Sequence, residues 1–477
     1  MSSALHTEYD VIIIGGGAVA ENVADRVVQG GLTAVLIESQ LVGGECSYWA
    51  CMPSKALLRS GHALRAAQRV RGVREAVTGE LDVAAVFARR NEIVHEWDDT
   101  SQVDWVHDTG IGLLRGQGRI TGEKRVSVTA DDGTVTELIA RHAVVVSTGS
   151  DPLIPSIPGL DTVTPWTSRD ATSAQVAPKS LAIIGGGVVA VEMATAYATF
   201  GTAVTIIARS GILRGEEDFA RDMVAQGLRE LGVAIVKAEP ERVAGVEDGV
   251  SIFAGGEAIV AEHVLIATGR TPRSADIGLE TIGLKPGDWL TVDDTLRVDG
   301  FDWLYATGDV NHRALVTHQG KYQARACGDV IAVRANGGTV DDAPWGTHVA
   351  TADHAAVPQV TFSDPEVASV GMTSDAAAKA GLDIRVVDYD ISWTAGGTLQ
   401  ADGYAGKARM IVDESRNVVV GVTFVGQDVA ELIHAATIAI VAEVPIDRLW
   451  HAVPAYPTMN ETWLRLLEAY GRPSGRT

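Results

Sequence analysis

The sequence predicts an α/β chain with two Rossmann-like dinucleotide-binding domains and a C-terminal α+β domain. Three observations predict it. An apolar, β-branched run followed by Gly-x-Gly-x-x-Ala occurs twice, at Val11-Ile12-Ile13-Ile14 and at Leu181-Ala182-Ile183-Ile184. Three further apolar runs end in Thr-Gly, at Thr148-Gly149, Thr268-Gly269 and Thr307-Gly308. The composition then changes over 336–358, a Gly-, Asp- and Pro-containing linker, and no nucleotide turn follows it. At 477 residues the chain is too long for one core. The expected division is 1–160 and 291–350 for a first, interrupted domain, 161–290 for a second, and 351–477 for the last.

The first run reads as a buried parallel strand, because both faces of such a strand are covered. Gly15, Gly17 and Ala20 form the turn. The first glycine allows the bend, the second lets a pyrophosphate approach the backbone, and the small third residue lets helix and strand pack. A helix over 18–29 then aims its N-terminal amides at the phosphates. The strand Ala34-Val35-Leu36-Ile37 ends in Glu38. That carboxylate stands roughly 20 residues on, where an acid accepts ribose hydroxyl hydrogens.

Gly43-Gly44-Glu45-Cys46-Ser47-Tyr48-Trp49-Ala50-Cys51-Met52-Pro53-Ser54-Lys55 comes next. Residues three or four apart share a helix face. Cys46 and Cys51 lie one step beyond, so an irregular first turn is expected to bring them together. Helix-start amides favour a thiolate, and a lowered pKa would make it reactive at neutral pH. Half a zinc site would lack its other half, since only Cys327 remains, and so short a loop makes a poor structural crosslink. A redox-active pair is the reading that stands. Cys327 lies in a helix-like Ala-Arg-Ala-Cys run and reads as a small core residue.

Helical periodicity is expected over 59–76 and 82–94. Residues 110–138 alternate like strands and hold the hairpin signal Asp131-Asp132-Gly133. The strand ending at Thr148-Gly149 leads into a connection carrying Pro152, Pro155 and Pro158. The second turn consists of Gly185, Gly187 and Ala190, and its second strand is Ala203-Val204-Thr205-Ile206-Ile207. The acidic position there is Ala208, followed by Arg209 and Arg214. A carboxylate would repel a 2′-phosphate, whereas arginines attract one. NADPH is therefore expected over NADH, with NADH still possible. The strand before Gly269 closes this unit. Asp309 follows the third Thr-Gly strand, where a carboxylate could bind sugar hydroxyls or cap the helix expected from about Gly320. Beyond the linker, strands are expected over 359–362, 385–390, 406–412 and 418–425, and helices over 429–442 and 459–470.

The formal charge of −22 disfavours nucleic acid and anionic membrane surfaces as partners. Three cysteines make no disulfide framework. Residues 1–10 show no secretory pattern, and no apolar run is long enough to span a bilayer. A cytoplasmic chain without a metal site is the expectation.

Together these motifs resemble the class I pyridine nucleotide–disulfide oxidoreductases, the family of dihydrolipoamide dehydrogenase, glutathione reductase and mercuric reductase. The resemblance runs from Tyr9 to about Tyr470. It is sharpest at Gly43-Gly44 with Cys46, Cys51 and Pro53-Ser54-Lys55, at the Thr-Gly strand ends, at Thr307-Gly308-Asp309, and at Val357-Pro358 through Phe362, Asp364-Pro365-Glu366 and Gly371. It implies FAD on the first unit, held by Gly15, Gly17, Ala20, Glu38, Gly44, Thr148, Gly149 and Asp309. It implies NAD(P)H on the second, at Gly185, Gly187, Ala190, Arg209, Arg214 and Gly269. It implies a Lys55–Glu192 pair near the flavin N5, Cys51 facing the flavin, Cys46 as the exchanging nucleophile, and a C-terminal dimerisation domain. The implied enzyme is a homodimer whose subunits share each active site.

One position departs from the disulfide-reducing members. Their His-Pro-Thr-x-x-Glu segment, supplied by the other subunit, reads here Tyr456-Pro457-Thr458-Met459-Asn460-Glu461. A tyrosine ordinarily ionises near about pH 10 and shuttles protons poorly at pH 7. Tyr456 and His451 both remain open as the acid. Mercuric reductase has a tyrosine at a similar place together with a C-terminal cysteine pair, and the tail 471–477 reads without one. The expected function is an FAD-dependent NAD(P)H oxidoreductase. Electrons would pass from NADPH through the flavin to a Cys46–Cys51 disulfide, and on to a disulfide, a thiol-reactive small molecule or a soft metal ion. The alternatives are an NAD(P)H:quinone or dye reductase drawing electrons directly from flavin, and a catalytically silent flavoprotein redox sensor.

Overall fold

The computed structural model describes residues 7–472 and gathers them into two compact units. The first six residues, read for a signal, and the tail 473–477 lie outside the described residues. One unit holds 7–53, 91–153 and 270–353, and the other holds 54–90, 154–269 and 354–472.

The first unit is built on a seven-stranded sheet. Its centre is Glu8–Ile14, parallel to Ala34–Glu38 on one side and to Val135–Val146 on the other. Gly112–Arg115 extends the parallel edge. The far edge of Val135–Val146 is shared. Its first half pairs antiparallel with Arg125–Thr129, and its last residues pair parallel with Leu304–Ala306. Sequence-distant residues thus return to one sheet. The hairpin turn at Asp131-Asp132-Gly133 joins two of these strands, with Gly133 at φ 82°.

Continuous apolar runs form these strands because both faces are covered. Val11, Ile13, Leu36 and Val145 pack with residues of the helices Ala18–Gln29 and Thr317–Ala335. Ile12, Ile14, Val35, Ile37, Val144 and Val146 pack into a second core on the other face. The two helices cross closely at Gly320, where a Cβ would come 2.7 Å from Val19 Cγ2. Cys327 is fully buried in the first of these cores, and burial pushes its thiol pKa up.

The second unit contains a four-stranded parallel sheet in the order Ala234–Val236, Ala203–Ile207, Ser180–Ile184, His263–Ile266. It also contains a three-stranded antiparallel meander over 240–261. Its third sheet is antiparallel, in the order Gln359–Thr361, Glu366–Gly371, Val418–Gly426, Lys407–Asp413, Ile384–Asp390. The helices Ile433–Val441 and Glu461–Tyr470 pack on it.

Four elements depart from expectation. The helix expected over 59–76 spans Cys51–Gln68 instead. Pro53 falls in its first turn, where a missing N–H costs nothing. Past Gln68, Gly72 takes φ 90° and only a 3₁₀ turn, Arg74–Ala76, follows. The helix expected from Gly320 begins at Thr317. The helix expected from Val429 opens as a 3₁₀ turn and becomes α-helical at Ile433. Glu366–Gly371 is a strand that alternation alone did not reveal. Among the described residues, no helix is long and apolar enough to cross a membrane. Nor, among the described residues, is a group of three or more His, Cys, Asp and Glu placed to hold a metal.

Candidate active site

Two glycines set the thiol pair against the first nucleotide turn. The Gly43 N–H donates to the Gly16 carbonyl at 2.8 Å, and Gly43 and Gly44 hold φ of 107° and 61°. A Cβ on Gly44 would lie 2.8 Å from the Gly17 Cα, so a larger residue would push the segment off the turn. The helix Gly44–Tyr48 follows, breaks at Trp49, and gives way to the helix Cys51–Gln68. This break is the irregular turn that a five-residue spacing requires. Cys46 and Cys51 are unbonded and half-buried, and they share a side-chain hydrogen bond. The Thr317 hydroxyl lies 3.4 Å from the Cys51 sulfur.

The Cys46 thiol is held above its ordinary pKa. The Cys51 hydrogen bond is the main cause, with burial and the Cys51 charge adding to it; Thr317 and the Lys321 ammonium oppose it. This corrects the expectation of a lowered pKa at the helix start. At Cys46 the neighbouring sulfur and burial outweigh the amides of a one-turn helix.

The first turn is shaped for a dinucleotide. Gly15, at φ 109°, lies so close to Ser147 that a Cβ would meet its carbonyl oxygen at 2.4 Å. Gly17 opens the helix Ala18–Gln29 without a side-chain cap, so the first-turn amides remain available to phosphate. Ala20 is fully buried against the strand. Glu38 accepts the Gly16 and Gln40 N–H groups, each at 2.6 Å, which fixes its carboxylate over the turn. Gly149, at φ 76°, has open space where a Cβ would project. Thr148 Oγ1 donates to the Arg273 carbonyl at 2.6 Å. Asp309 accepts the Ser150 hydroxyl at 2.5 Å, and Arg270 Nε lies 3.7 Å from its carboxylate.

The second turn repeats the design. Gly185 would meet the Ala267 carbonyl at 2.1 Å through a Cβ, Gly187 faces open space, and Ala190 is buried. Gly269, at φ 142°, ends the neighbouring strand. Ala208 is buried. Arg209 is 73% exposed with Glu239 3.6 Å away, and Arg214 is exposed.

Lys55 follows Cys51 by one turn in the same helix. Its ammonium lies 2.8 Å from Glu192 Oε2 and 5.0 Å from the centre of the Phe362 ring. Glu192 is only 3% exposed, and its other oxygen accepts the Phe362 N–H at 3.0 Å. A buried, fully partnered carboxylate is no surface ornament, because removing Lys55 would strand a charge.

A family model described as pyridine nucleotide-disulphide oxidoreductase matches residues 9–327, and the dimerisation domain of that family matches 357–467. The chain belongs to the pyridine nucleotide-disulphide oxidoreductases. Mercuric reductase of Streptomyces lividans is 31% identical over 468 residues, which cover 96% of this chain and 95% of that protein. Dihydrolipoyl dehydrogenase of Halobacterium salinarum is 28% identical, over 97% and 96%. Among solved structures, the Cu(II) complex of the HOCl-induced flavoprotein disulfide reductase RclA from Escherichia coli superposes with a TM-score of 0.83 at 25% identity. That match covers 97% of this chain and 99% of the other.

This pyridine nucleotide-disulphide oxidoreductase is thus an enzyme of an FAD-dependent family that uses NAD(P)H, and its dimerisation domain indicates a homodimer. The first turn fits the flavin nucleotide: uncapped helix amides at Gly17, a fixed acid at Glu38 and open space at Gly149 are on one sheet end. In the C-terminal segment Tyr456 is 76% exposed and His451 is exposed. Glu461 is buried, accepting the Ala395 N–H at 2.9 Å and Arg465 Nη2 at 2.6 Å. Thr317 is not among the expected site residues, because its helix is expected only from about Gly320. Ser150 carries no motif of its own, and the sequence gives no sign that Phe362, though in a segment resembling the family, contacts Glu192.

Proposed function

We propose that this enzyme passes electrons from NADPH to a Cys46–Cys51 disulfide and from there to a disulfide, a thiol-reactive small molecule or a soft metal ion. The observation that carries the reading is the hydrogen-bonded thiol pair seated on the first nucleotide turn, with the Thr317 hydroxyl at Cys51. FAD would be held at Gly15, Gly17, Ala20, Glu38, Gly44, Thr148, Gly149 and Asp309, and would supply hydride acceptance and onward two-electron transfer. Gly185, Gly187, Ala190 and Gly269 would seat the nicotinamide coenzyme, and Arg209 and Arg214 would hold its 2′-phosphate. The Lys55 side chain is anchored by its ion pair with Glu192 at 2.8 Å. Cys51, beside Thr317, would face the flavin, and Cys46, once deprotonated, would be the exchanging nucleophile.

Tyr456 and Glu461 would complete the partner subunit's site. Glu461 is committed to Ala395 and Arg465, whereas Tyr456 and His451 are both exposed. A phenol there favours acceptors whose reduction needs no proton delivered to a departing thiolate. This feature supports the second reading, direct reduction of quinones or dyes.

Steady-state assays with glutathione disulfide, lipoamide, quinones and mercuric ion, each with NADPH and NADH, separate the two. On the first reading Cys46→Ser abolishes turnover of disulfide and metal acceptors and spares quinones. Full turnover of every acceptor by Cys46→Ser would overturn it.

A further inference from the structure

We infer that Glu217, held by Arg409 and Ser374 of the dimerisation domain, is a positioning residue that fixes the loop carrying Arg214 and so sets the preference for NADPH over NADH. The inference rests on the reading of Arg209 and Arg214 as 2′-phosphate ligands and concerns residues outside it. The loop connects the strand Ala203–Ile207 to the helix Asp218–Glu230. Arg214 is exposed on it, between two anchors.

The first anchor is the nucleotide turn itself. The Leu213 N–H donates to the Gly186 carbonyl at 2.7 Å. A Cβ on Gly186 would meet the Gly211 carbonyl oxygen at 2.4 Å, so loop and turn lie against each other. Ile212 and Leu213 are buried. Leu213 holds φ 45°, a left-handed conformation that is unfavourable for a branched side chain. Such a conformation persists only where the surroundings hold the chain on both sides.

The second anchor is Glu217, the N-cap of the helix Asp218–Glu230 and 5% exposed. Its carboxylate accepts the Ser374 N–H at 2.6 Å, the Ser374 hydroxyl at 2.8 Å and Arg409 Nη1 at 2.8 Å. Arg409 is itself fixed. Its Nε and Nη2 donate to the two carboxylate oxygens of Asp388, its cross-strand partner, at 2.7 and 2.8 Å. The Phe219 ring packs under the same cations, its centre 4.7 Å from Lys407 Nζ and 5.1 Å from Arg409 Cζ. Glu216 adds a bond from the Ser369 hydroxyl at 3.2 Å. The five-stranded sheet therefore grips the loop immediately after Arg214.

An arginine on a free loop must be ordered when it meets a phosphate, and that ordering subtracts from affinity. Here the backbone on both sides of Arg214 is ordered in advance. Releasing Glu217 lets Leu213 relax from its left-handed conformation and moves Arg214 off the turn. Only a ligand with a 2′-phosphate loses by this.

The test is calorimetric titration of the FAD-loaded enzyme with 2′,5′-ADP and with 5′-AMP, which differ in the 2′-phosphate alone. The wild type should bind 2′,5′-ADP more tightly, and Arg209→Ala combined with Arg214→Ala should erase the difference. Glu217→Gln should weaken 2′,5′-ADP roughly 3- to 10-fold and leave 5′-AMP unchanged. Arg409→Gln should do the same, and the double variant should lose no more than either single one, since the two groups form one anchor. The loss should appear in the KM for NADPH rather than in kcat, whereas general damage to the fold would weaken 5′-AMP too. Should Glu217→Gln not fold, Arg409→Gln and the milder Ser374→Ala decide by the same readout. Unchanged 2′,5′-ADP affinity in these variants, with the arginine variant defective, would overturn the anchor and leave the phosphate reading standing. Equal affinity of the wild type for the two nucleotides would end the phosphate reading, and this inference with it.

Discussion

Tyr456 turns its phenol to solvent at the position where the matching C-terminal motif has histidine. General acid–base help is worth roughly 10²–10⁴-fold in rate. Turnover of glutathione disulfide or lipoamide should therefore be slow in the wild type. Tyr456→His should raise it at least about tenfold and leave quinone turnover within about twofold, as measured by steady-state kinetics. Glu366 gives a second residue-scale test. It accepts the Ala430 N–H at 3.1 Å, yet burial pushes its carboxyl up to about 7 from 4.5. The folded state then binds more protons than the unfolded state between those values, so stability falls as pH rises through that window and stays lower above it. Glu366→Gln keeps an acceptor for Ala430 and removes the titration. Chemical denaturation should show it more stable than the wild type at pH 8, by on the order of 3 kcal/mol, and nearly equal at pH 4. At this scale the meeting of Cys46 and Cys51 was legible, because the residue type is scarce and the spacing is diagnostic. The upward shift of the Cys46 thiol was not, because burial and the neighbouring sulfur are properties of the folded chain.

Elements were legible in proportion to how much of their pattern is local. The strands Glu8–Ile14, Ala34–Glu38 and Ala203–Ile207 are apolar runs with both faces covered, and they stand where the sequence places them. Glu366–Gly371 is short, mixes small and polar residues and follows Pro365; pairing with Val418–Gly426 makes it a strand. Cys51–Gln68 begins eight residues before the helix expected from residue 59, and Pro53 is tolerated in its first turn. The second nucleotide turn carries its own prediction. Arg209 and Arg214 follow a strand with no acid at its end, and Glu239 holds Arg209 only loosely at 3.6 Å. Each charged contact to a 2′-phosphate is worth roughly 1.5–3 kcal/mol. Arg209→Ala combined with Arg214→Ala should raise the KM for NADPH at least about tenfold and barely move that for NADH. Equal changes for the two coenzymes would refute NADPH selection.

Across the whole molecule, three apolar runs in the sequence end in Thr-Gly. The last of them, Leu304–Ala306, pairs with Val135–Val146. How the second unit gathers residues 54–90 was not legible, since it depends on tertiary packing of Leu57, Leu58, Val86 and Phe87 with Ala196. If Tyr456 serves the partner's thiol pair, mixing Cys46→Ser subunits with Tyr456→Ala subunits should give mixed dimers with one complete site. Activity of the mixture above that of either parent is the expected outcome. The central claim, that the Cys46–Cys51 pair lies on the electron path, is tested most directly by differential alkylation of the holoenzyme before and after one anaerobic equivalent of NADPH. Cys327, fully buried, is the internal control. The account predicts that Cys46 and Cys51 are protected before NADPH and both labelled after it, with Cys327 unlabelled throughout. Bleaching of the flavin with no new label at Cys46 or Cys51 would contradict it.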